Sequence, residues 1–314
     1  MRVFLTGATG FIGSRIVREL IGAGHQVLGL TRSDAGARWL EEAGAEAHRG
    51  TIEDTDSIAR GAAQADAVIH TAFDHDFSRF AENCEKDRRV IGAIGAVLAG
   101  SDRPLIITSV IGMGITDPGQ PALEQTVDWH HANPRAASEQ AGAEIAAKGV
   151  SVAVVRLPQV HDTAKQGLIT PLIEIARAKG VSAYVGVGAN RWPAAHVRDV
   201  ARLYRMALEQ HEAGARYHAV AEEGVPMREI AEVVGAGLGV PVMSLSQEAA
   251  ADHFGWLAMF AGLDMPASST WTCERLGWQP TGPSLLADLR ECDYRSVNIA
   301  ARARAGRSIP AASS

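Results

Sequence analysis

Cysteine is scarce in this 314-residue chain, and long apolar runs are missing from it. The three cysteines, Cys84, Cys273 and Cys292, are too widely spaced for a disulfide framework or a metal cluster. We therefore expect a reducing compartment, the cytoplasm, and no bound metal. No apolar run reaches membrane-spanning length and no charged-then-apolar leader precedes the first predicted strand, so we expect no membrane partner.

Excess positive charge is missing as well. The net charge is −6 and the sequence pI is near 6.0, which argues against nucleic acid or an anionic membrane as the main partner. At 314 residues the chain can bury a large core. These properties indicate one enzyme-sized protein.

The most informative feature present is a glycine-rich segment at the start of the chain. A short apolar strand, Arg2-Val3-Phe4-Leu5, runs into Thr6-Gly7-Ala8-Thr9-Gly10-Phe11-Ile12-Gly13. Gly7 permits a tight turn, Gly10 lets the backbone approach a pyrophosphate, and Gly13 lets the following helix pack close to the strand. The N-terminus of that helix offers N–H groups and a positive dipole end to phosphates. The alternative is an ordinary strand–turn–helix whose glycines serve only its shape.

Apolar runs then alternate with helical patterns at the spacing of βαβ units, which predicts a parallel sheet. Their continuous Val, Ile, Leu and Ala content is typical of strands covered on both faces. The predicted helices include a long one near residues 81–99 and an Ala-rich one near 135–148. The predicted strands lie near residues 2–7, 26–31, 45–49, 66–72, 104–110 and 151–157.

The sequence character changes in the second half and suggests two domains and a tail. Residues 1–160, with about 193–221, form the predicted dinucleotide-binding domain. The region of roughly 222–290 lacks a clear βαβ rhythm, and we expect about 161–192 and 222–300 to form a smaller, C-terminal substrate domain. Residues 301–314 are expected to be a poorly ordered tail.

The T-G-x-x-G-x-x-G motif and later segments resemble the short-chain dehydrogenase/reductase superfamily, in particular its extended, epimerase/dehydratase-like branch. The resemblance implies an α/β, Rossmann-type doubly wound parallel sheet, a nicotinamide cofactor and, as an option, a homodimer. The later segments that carry it are Asp66–Ala72, Leu105–Ser109, Val154–His161 and Ala195–Ala201.

The resemblance also implies which residues contact the cofactor. They lie in the glycine-rich turn and at the ends of the predicted strands. The residues are Gly7, Thr9, Gly10, Phe11, Ile12, Gly13, Thr31, Arg32, Ser33, Ile52, Thr71, Ala72, Thr108, Ser109, Leu157, Pro158 and Val160.

The end of the second strand indicates NADP rather than NAD. Thr31 stands where the extended branch usually has an aspartate that binds the ribose hydroxyls. Arg32 can pair with a 2′-phosphate as a planar fork, and the hydroxyls of Thr31 and Ser33 can add hydrogen bonds. The alternative is that Arg32 is a solvated arginine neutralised by Asp34.

The usual acid–base pair of the family, Tyr-x-x-x-Lys after the fifth strand, is missing. No tyrosine occurs between Pro104 and Val150. One alignment with the family's Y-G-x-S-K puts Asn133 at the tyrosine and Ala137 at the lysine, and the serine/threonine position falls on Ile111. Standard epimerase or dehydratase chemistry therefore cannot be transferred to this chain.

Three residues are candidates for the missing chemistry. Ser109 ends the fifth strand and could orient a carbonyl; His161 follows the sixth and, as an imidazole with an ordinary pKa near 6.5, could donate a proton. His131, beside His130, could reach the vacant tyrosine position through its loop. The alternatives are a loop-capping serine, a buried structural histidine and exposed loop histidines.

Large apolar side chains concentrate in the predicted substrate region. Trp192 and Trp256, with the phenol of Tyr184, are candidates for contact with a small, largely apolar substrate. Part of this set could instead be core or a dimer contact. The region has few cations for a diphosphate, which argues against a nucleotide sugar.

The sequence thus predicts an NADP(H)-dependent oxidoreductase that reduces a small apolar carbonyl, imine or activated alkene with a nonstandard proton donor. Two other hypotheses stay open. The first is a noncatalytic NADP-binding sensor or interaction protein, and the second is a redox-neutral isomerase or lyase that uses bound cofactor.

Overall fold

The computed structural model describes residues 1–115, 117 and 119–295. The tail predicted at 301–314 lies outside these residues. Within the described ranges, no helix is both long enough and apolar enough to span a membrane.

Helices and strands alternate along most of the described chain. Two short 3-10 helices, Phe77–Arg79 and Ile111–Gly114, precede α4 and follow β5, and a third covers Gly255–Leu257. The elements are β1 (Arg2–Thr6), α1 (Gly13–Gly22), β2 (Gln26–Thr31), α2 (Asp34–Glu42), β3 (Glu46–Arg49), α3 (Thr55–Ala63), β4 (Ala67–His70), α4 (Phe80–Leu98), β5 (Leu105–Val110), α5 (Ala136–Ala146), β6 (Val152–Leu157), β7 (Gln159–His161), α6 (Ile169–Lys179), β8 (Ser182–Val185), β9 (Arg191–His196), α7 (Val197–Glu209), β10 (Arg216–His218), β11 (Glu222–Pro226), α8 (Met227–Leu238), β12 (Val242–Leu245), α9 (Gln247–Phe254), α10 (Ala258–Ala261), α11 (Thr270–Leu276) and α12 (Leu285–Glu291).

A seven-stranded sheet in the order β10-β6-β5-β4-β1-β2-β3 forms the centre of the fold. Its strands pair in parallel, with Val3 opposite Val27 on one side and Ala67 on the other. The doubly wound parallel sheet predicted from the sequence is confirmed. Its six predicted strands all form. The seventh, β10, has only three residues and pairs with β6 at the edge, so it left no periodic signal.

Helices cover both faces of this sheet, which explains the continuous apolar content of its strands. On one face, α1 and α7 pack through Ile16, Leu20 and Tyr204. On the other face, α3, α4 and α5 bury Ile58 and Ile91 against β1, β4 and β5. Two smaller sheets complete the fold: a three-stranded one in the order β11-β9-β7 and a parallel pair of β12 and β8.

The chain divides into two compact units. The first comprises Met1–Val160, Pro193–Gly224 and Met265–Gly282. The second comprises His161–Trp192, Val225–Asp264 and the described part of Pro283–Ser314.

Residues 265–282 belong to the first unit, whereas the sequence had assigned them to the second region. Asp199, in the first turn of α7, accepts the backbone N–H groups of Thr281 and Gly282 at 3.1 and 2.7 Å. The indole of Trp278 is fully buried and donates to the Asp199 carbonyl at 3.1 Å. These contacts depend on tertiary structure, and no periodicity in the sequence encodes them.

The second unit is held by polar contacts of its own. His161 is fully buried and lies 2.7 Å from Asp288 of α12. The Asn190 side chain donates to the carbonyl groups of Ala261 and Leu263 and fixes the chain after α10.

A buried ionic cluster links α5 to β6 and β10 in the first unit. The Arg156 guanidinium makes two hydrogen bonds, at 2.8 and 2.9 Å, to the Glu139 carboxylate, and Arg216 adds a contact at 3.2 Å. Burial opposes ionisation of Glu139, but these arginines and the nearby Ser109 hydroxyl outweigh it and lower the pKa of the carboxyl. Burial, reinforced by the charge of Arg156, lowers the pKa of His218 to about 3.

This cluster predicts a specific loss of stability in acid. An unfolded histidine takes up a proton near pH 6.5, whereas His218 in the folded chain stays neutral until about pH 3. Its contribution is therefore complete above about pH 6.5 and is lost as the pH falls towards 3. In His218→Gln, an amide that can both donate and accept, the free energy of unfolding should depend on pH less steeply, by about one proton, between about pH 6 and pH 4.

The measurement is urea unfolding at a series of pH values. His130→Gln, at an exposed histidine, is the matched control and should keep the wild-type slope. Equal slopes for wild type and His218→Gln would contradict the assignment of this histidine as neutral in the folded protein.

Candidate functional site

The glycine-rich turn joins β1 to α1 with a backbone that only glycine fits. Gly7 has φ +71°, a conformation that side chains disfavour. A Cβ atom on Gly13 would lie 2.0 Å from the Gly7 carbonyl oxygen, so the first residue of α1 must lack a side chain. The N-cap residue, Ile12, adds no side-chain cap, which suits a helix end that receives a phosphate.

The turn is held against the end of β4. The Thr6 hydroxyl accepts the N–H groups of Thr71 and Ala72, both at 3.2 Å, and the Thr71 hydroxyl donates back to the Thr6 carbonyl at 2.8 Å. Two strand ends that the sequence associated with the cofactor are thus brought together at the carboxyl edge of the sheet. In open α/β sheets this edge is where ligands bind.

An open cavity of about 430 Å³ lies beside the turn, at the carboxyl ends of β1 and β2. Two arginines of α1 line it, and the Arg18 guanidinium lies 5.9 Å from the centre of the Trp39 ring. Sequence reasoning placed neither arginine here, although both are in the helix that starts at the glycine motif. The lining residues are Thr9, Ser14, Arg15, Arg18, Ser33, Ala35, Gly36 and Trp39.

The residues after β2 have unequal access to this cavity. Thr31 is buried and its hydroxyl lies within 3.5 Å of the Ser33 backbone. The Ser33 hydroxyl lines the cavity and caps α2 by accepting the Gly36 N–H at 3.0 Å. Arg32 is exposed, and Asp34 pairs with Arg49 at 2.6 Å.

The other cofactor candidates lie around the same edge of the sheet. Ile52, Leu157 and Pro158 are half-buried, and Val160 is in the core. The Thr108 hydroxyl donates to the His70 carbonyl at 2.8 Å and lies 2.6 Å from the buried Tyr204 hydroxyl. Its side chain is therefore engaged within the protein.

A chain of buried polar contacts crosses the ends of β4 and β5. His70 lies 2.7 Å from the Thr6 hydroxyl and 2.9 Å from Asp87 of α4. The other Asp87 oxygen accepts from Arg135 and from Ser138, both at 2.6 Å. Burial opposes the ionisation of Asp87, but Arg135 and His70 outweigh it and hold the pKa of that carboxyl well below its usual range. Asp87 is thus a carboxylate at ordinary pH.

The start of α5 places an arginine and a glutamate in the positions that face the sheet. Asn133 precedes the helix, and its amide oxygen accepts the Arg135 N–H at 2.9 Å. Arg135 reaches the Thr108 carbonyl of β5, and Glu139 reaches Arg156 of β6. Residues four apart share a helix face, and Arg135-Ala136-Ala137-Ser138-Glu139 has the spacing of Y-G-x-S-K. The structure therefore supports an alignment two residues later than the one through Asn133 and Ala137.

The three candidates for catalysis have very different environments. Ser109 and His161 are fully buried, the first close to Glu139 and the second paired with Asp288. His131 is half-buried, and its Nδ1 accepts the Asn133 N–H at 3.0 Å. This bond leaves the proton of a neutral imidazole on Nε2, which would lie 3.9 Å from a Cβ on Gly112, just after β5.

The three substrate candidates lie in or at the border of the second unit. Trp192 is fully buried and belongs to the core, Tyr184 is half-buried, and Trp256 is 44% exposed. The Arg228 guanidinium lies 6.0 Å from the Tyr184 ring centre. Across the described ranges, no group of three or more His, Cys, Asp or Glu side chains could hold a metal ion.

The chain is similar over most of its length to several known proteins. A relative from Schizosaccharomyces pombe, an uncharacterized protein, is 47% identical over 304 residues, covering 94% of this chain and 100% of its own length. An uncharacterized protein of Saccharomyces cerevisiae is 42% identical over 294 residues, covering 92% and 98%. The 2-alkyl-3-oxoalkanoate reductase of Stenotrophomonas maltophilia is 29% identical over 259 residues, 77% of each chain.

Solved structures show the same fold. The dTDP-glucose 4,6-dehydratase of Streptomyces venezuelae, with NAD bound, superimposes with a TM-score of 0.72 at 20% identity, over 98% of both chains. The model of the NAD-dependent epimerase/dehydratase family matches residues 3–221, which include the glycine-rich turn, all seven strands of the main sheet and α5. The chain belongs to the NAD-dependent epimerase/dehydratase family and is an enzyme of the short-chain dehydrogenase/reductase type.

Proposed function

We propose that this enzyme is an NADP(H)-dependent oxidoreductase that reduces a small, largely apolar carbonyl, imine or activated alkene. The observation that carries the proposal is the glycine turn with an arginine-lined cavity beside it. The glycine-built start of α1 fits a pyrophosphate, and the cavity after β2 fits the phosphorylated ribose. Bound there, the reduced cofactor supplies a hydride.

Three features support NADP over NAD. No carboxylate ends β2, where NAD enzymes bind the ribose hydroxyls. Arg15 and Arg18 line the cavity. Arg32 is exposed and directly precedes Ser33, which also lines the cavity. Guanidinium groups pair with phosphates through two parallel hydrogen bonds. Asp34, which could have neutralised Arg32, pairs with Arg49 instead.

Reductase chemistry is favoured by the relatives and by the environment of α5. The related protein from Stenotrophomonas maltophilia is named a reductase of 2-alkyl-3-oxoalkanoates, and we extend reduction of a carbonyl-type substrate to this chain. Arg135 and Glu139, both buried and ion-paired, replace a tyrosine–lysine pair, so the proton must come from another group. A redox-neutral isomerase or a noncatalytic sensor is the alternative.

His131 is the proton donor we favour. Ser109 and His161 have no exposed surface, whereas His131 reaches solvent and carries its Nε2 beside the end of β5. A positioned imidazole of this kind can protonate a substrate anion. Ser109 then has a supporting role next to Glu139, and His161 a structural one with Asp288.

The same proposal includes a small-molecule substrate as the partner, the cytoplasm as the compartment and a homodimer as the assembly. All three cysteines are free thiols, two of them buried, which is consistent with a reducing compartment such as the cytoplasm. A homodimer through α4 and α5 follows only from the family resemblance.

The cofactor proposal predicts the effect of arginine substitutions. Arg15→Ala and Arg32→Ala should each weaken NADPH binding by about 1–3 kcal/mol and leave NADH binding nearly unchanged, because only NADPH has the 2′-phosphate. Calorimetric titration of both cofactors measures this. Arg38→Ala is the control, because Arg38 lies on α2, the helix that Ser33 caps, but does not line the cavity. Equal losses for NADPH and NADH would overturn the phosphate assignment.

The reaction itself predicts the behaviour of His131. With NADPH and a panel of small ketones, aldehydes, cyclic imines and enones, wild type should oxidise NADPH with at least one compound. His131→Gln should lower kcat for that compound about 100-fold or more with NADPH affinity intact. His25 directly precedes the amino end of β2, away from the carboxyl edge where the site lies, so His25→Gln should keep wild-type turnover. Unchanged turnover in His131→Gln removes this residue as the donor.

A further inference from the structure

Arg135 is a buried cation that lies at the carboxyl ends of two central strands. It is 6% exposed, and its Nη2 donates to the Thr108 carbonyl of β5 at 3.2 Å. Its Nη1 donates to Asp87 and to Ser138. Three of the five N–H groups of the guanidinium are thus engaged. Among the residues that the structure describes, the other two N–H groups of the guanidinium, on Nε and Nη2, have no hydrogen-bond partner and can bind a ligand.

Asp87 and Phe73 hold the guanidinium in one orientation. Asp87 is itself fixed by Ser138 and by His70, whose ring contacts the Thr6 hydroxyl of the cofactor turn. The Phe73 ring, just after β4, covers one face of the guanidinium at 4.0 Å. A permanently charged donor with this little freedom loses little entropy when a ligand binds.

The order of the strands indicates which ligand group Arg135 meets. In a doubly wound sheet each half binds one nucleotide of a dinucleotide, on either side of the point where the strand order reverses. Here that point lies between β1 and β4. The arginine-lined cavity for the adenosine half lies on the β2 side. The nicotinamide half therefore lies on the β4 and β5 side, where Arg135 is.

We propose that Arg135 binds the nicotinamide end of the cofactor, donating hydrogen bonds to the hydroxyl oxygens of its ribose. This rests on the proposed function, because it presupposes a bound dinucleotide. An arginine cannot release a proton at ordinary pH, so Arg135 is a binding and positioning group. The proton comes from elsewhere, as the separate role of His131 requires.

Two ligands of different length test this on binding alone. NADPH contains both halves of the dinucleotide, whereas adenosine 2′,5′-bisphosphate contains only the adenosine half. Arg135→Gln with Asp87→Asn, which leaves no unpaired buried charge, should bind NADPH at least tenfold more weakly than wild type. It should bind adenosine 2′,5′-bisphosphate within about twofold of wild type. Arg135→Lys, which keeps the charge but not the planar fork, should show a smaller loss for NADPH.

The control is Arg88→Gln, at an arginine of α4 that pairs with Glu144 on the surface; it should bind both ligands as wild type does. Equal weakening of both ligands in the double variant would show that Arg135 only maintains the fold, and no weakening of either would show that it does not contact the cofactor. If the double variant does not fold, Arg135→Lys decides alone by the same two ligands.

Failure of the underlying proposal gives a different result. If wild type binds NADH as tightly as NADPH, the NADP preference is wrong, and the test of Arg135 is made with NADH and AMP as the long and short ligands. If wild type binds no dinucleotide, the cofactor proposal and the role of Arg135 are both overturned.

Discussion

The close approach of α1 to β1 is the constraint on which the rest of the site depends. A single Cβ at Gly13 would come 2.0 Å from the Gly7 carbonyl oxygen, too close for any real contact. With glycine at both positions, the first turn of α1 packs directly over the end of β1, at the carboxyl edge of the sheet. Thr6 then ties this turn to Thr71 and Ala72 at the end of β4.

From that turn a continuous set of polar contacts extends to the altered helix α5. Thr6 contacts His70, His70 contacts Asp87, and Asp87 contacts Arg135. Such a network is stable only if each buried group is satisfied. Arg135 at the start of α5 pairs with Asp87, and Glu139 of the same helix pairs with Arg156. The fold of the family is thus retained around a helix whose start carries a buried arginine and a buried glutamate, each with an ionic partner.

Sequence reasoning predicted the sheet well and the site less completely, for physical reasons. The strands are short apolar runs whose burial on both faces dominates their composition, so their positions were predictable. β10 and the assignment of residues 265–282 depended on tertiary contacts such as those of Asp199 with Thr281 and Gly282. The sequence did not predict that Arg15 and Arg18 line the cavity, because a charged residue on a helix is usually interpreted as solvent-exposed surface. The partner of Arg135 is 48 residues away in sequence, and no local pattern reveals such a pair.

The central claim is that this chain transfers a hydride from NADPH to a substrate, and isotopic labelling tests it most directly. The protein is incubated with NADPH deuterated at the transferable position of the nicotinamide and with the carbonyl, imine and enone panel, and the products are analysed by mass spectrometry. The account predicts one deuterium bound to carbon in the reduced product, with one NADP⁺ formed for each product molecule. Unlabelled substrates together with fully retained, tightly bound NADPH would contradict it and identify the protein as a sensor, and a rearranged product without NADP⁺ would identify an isomerase.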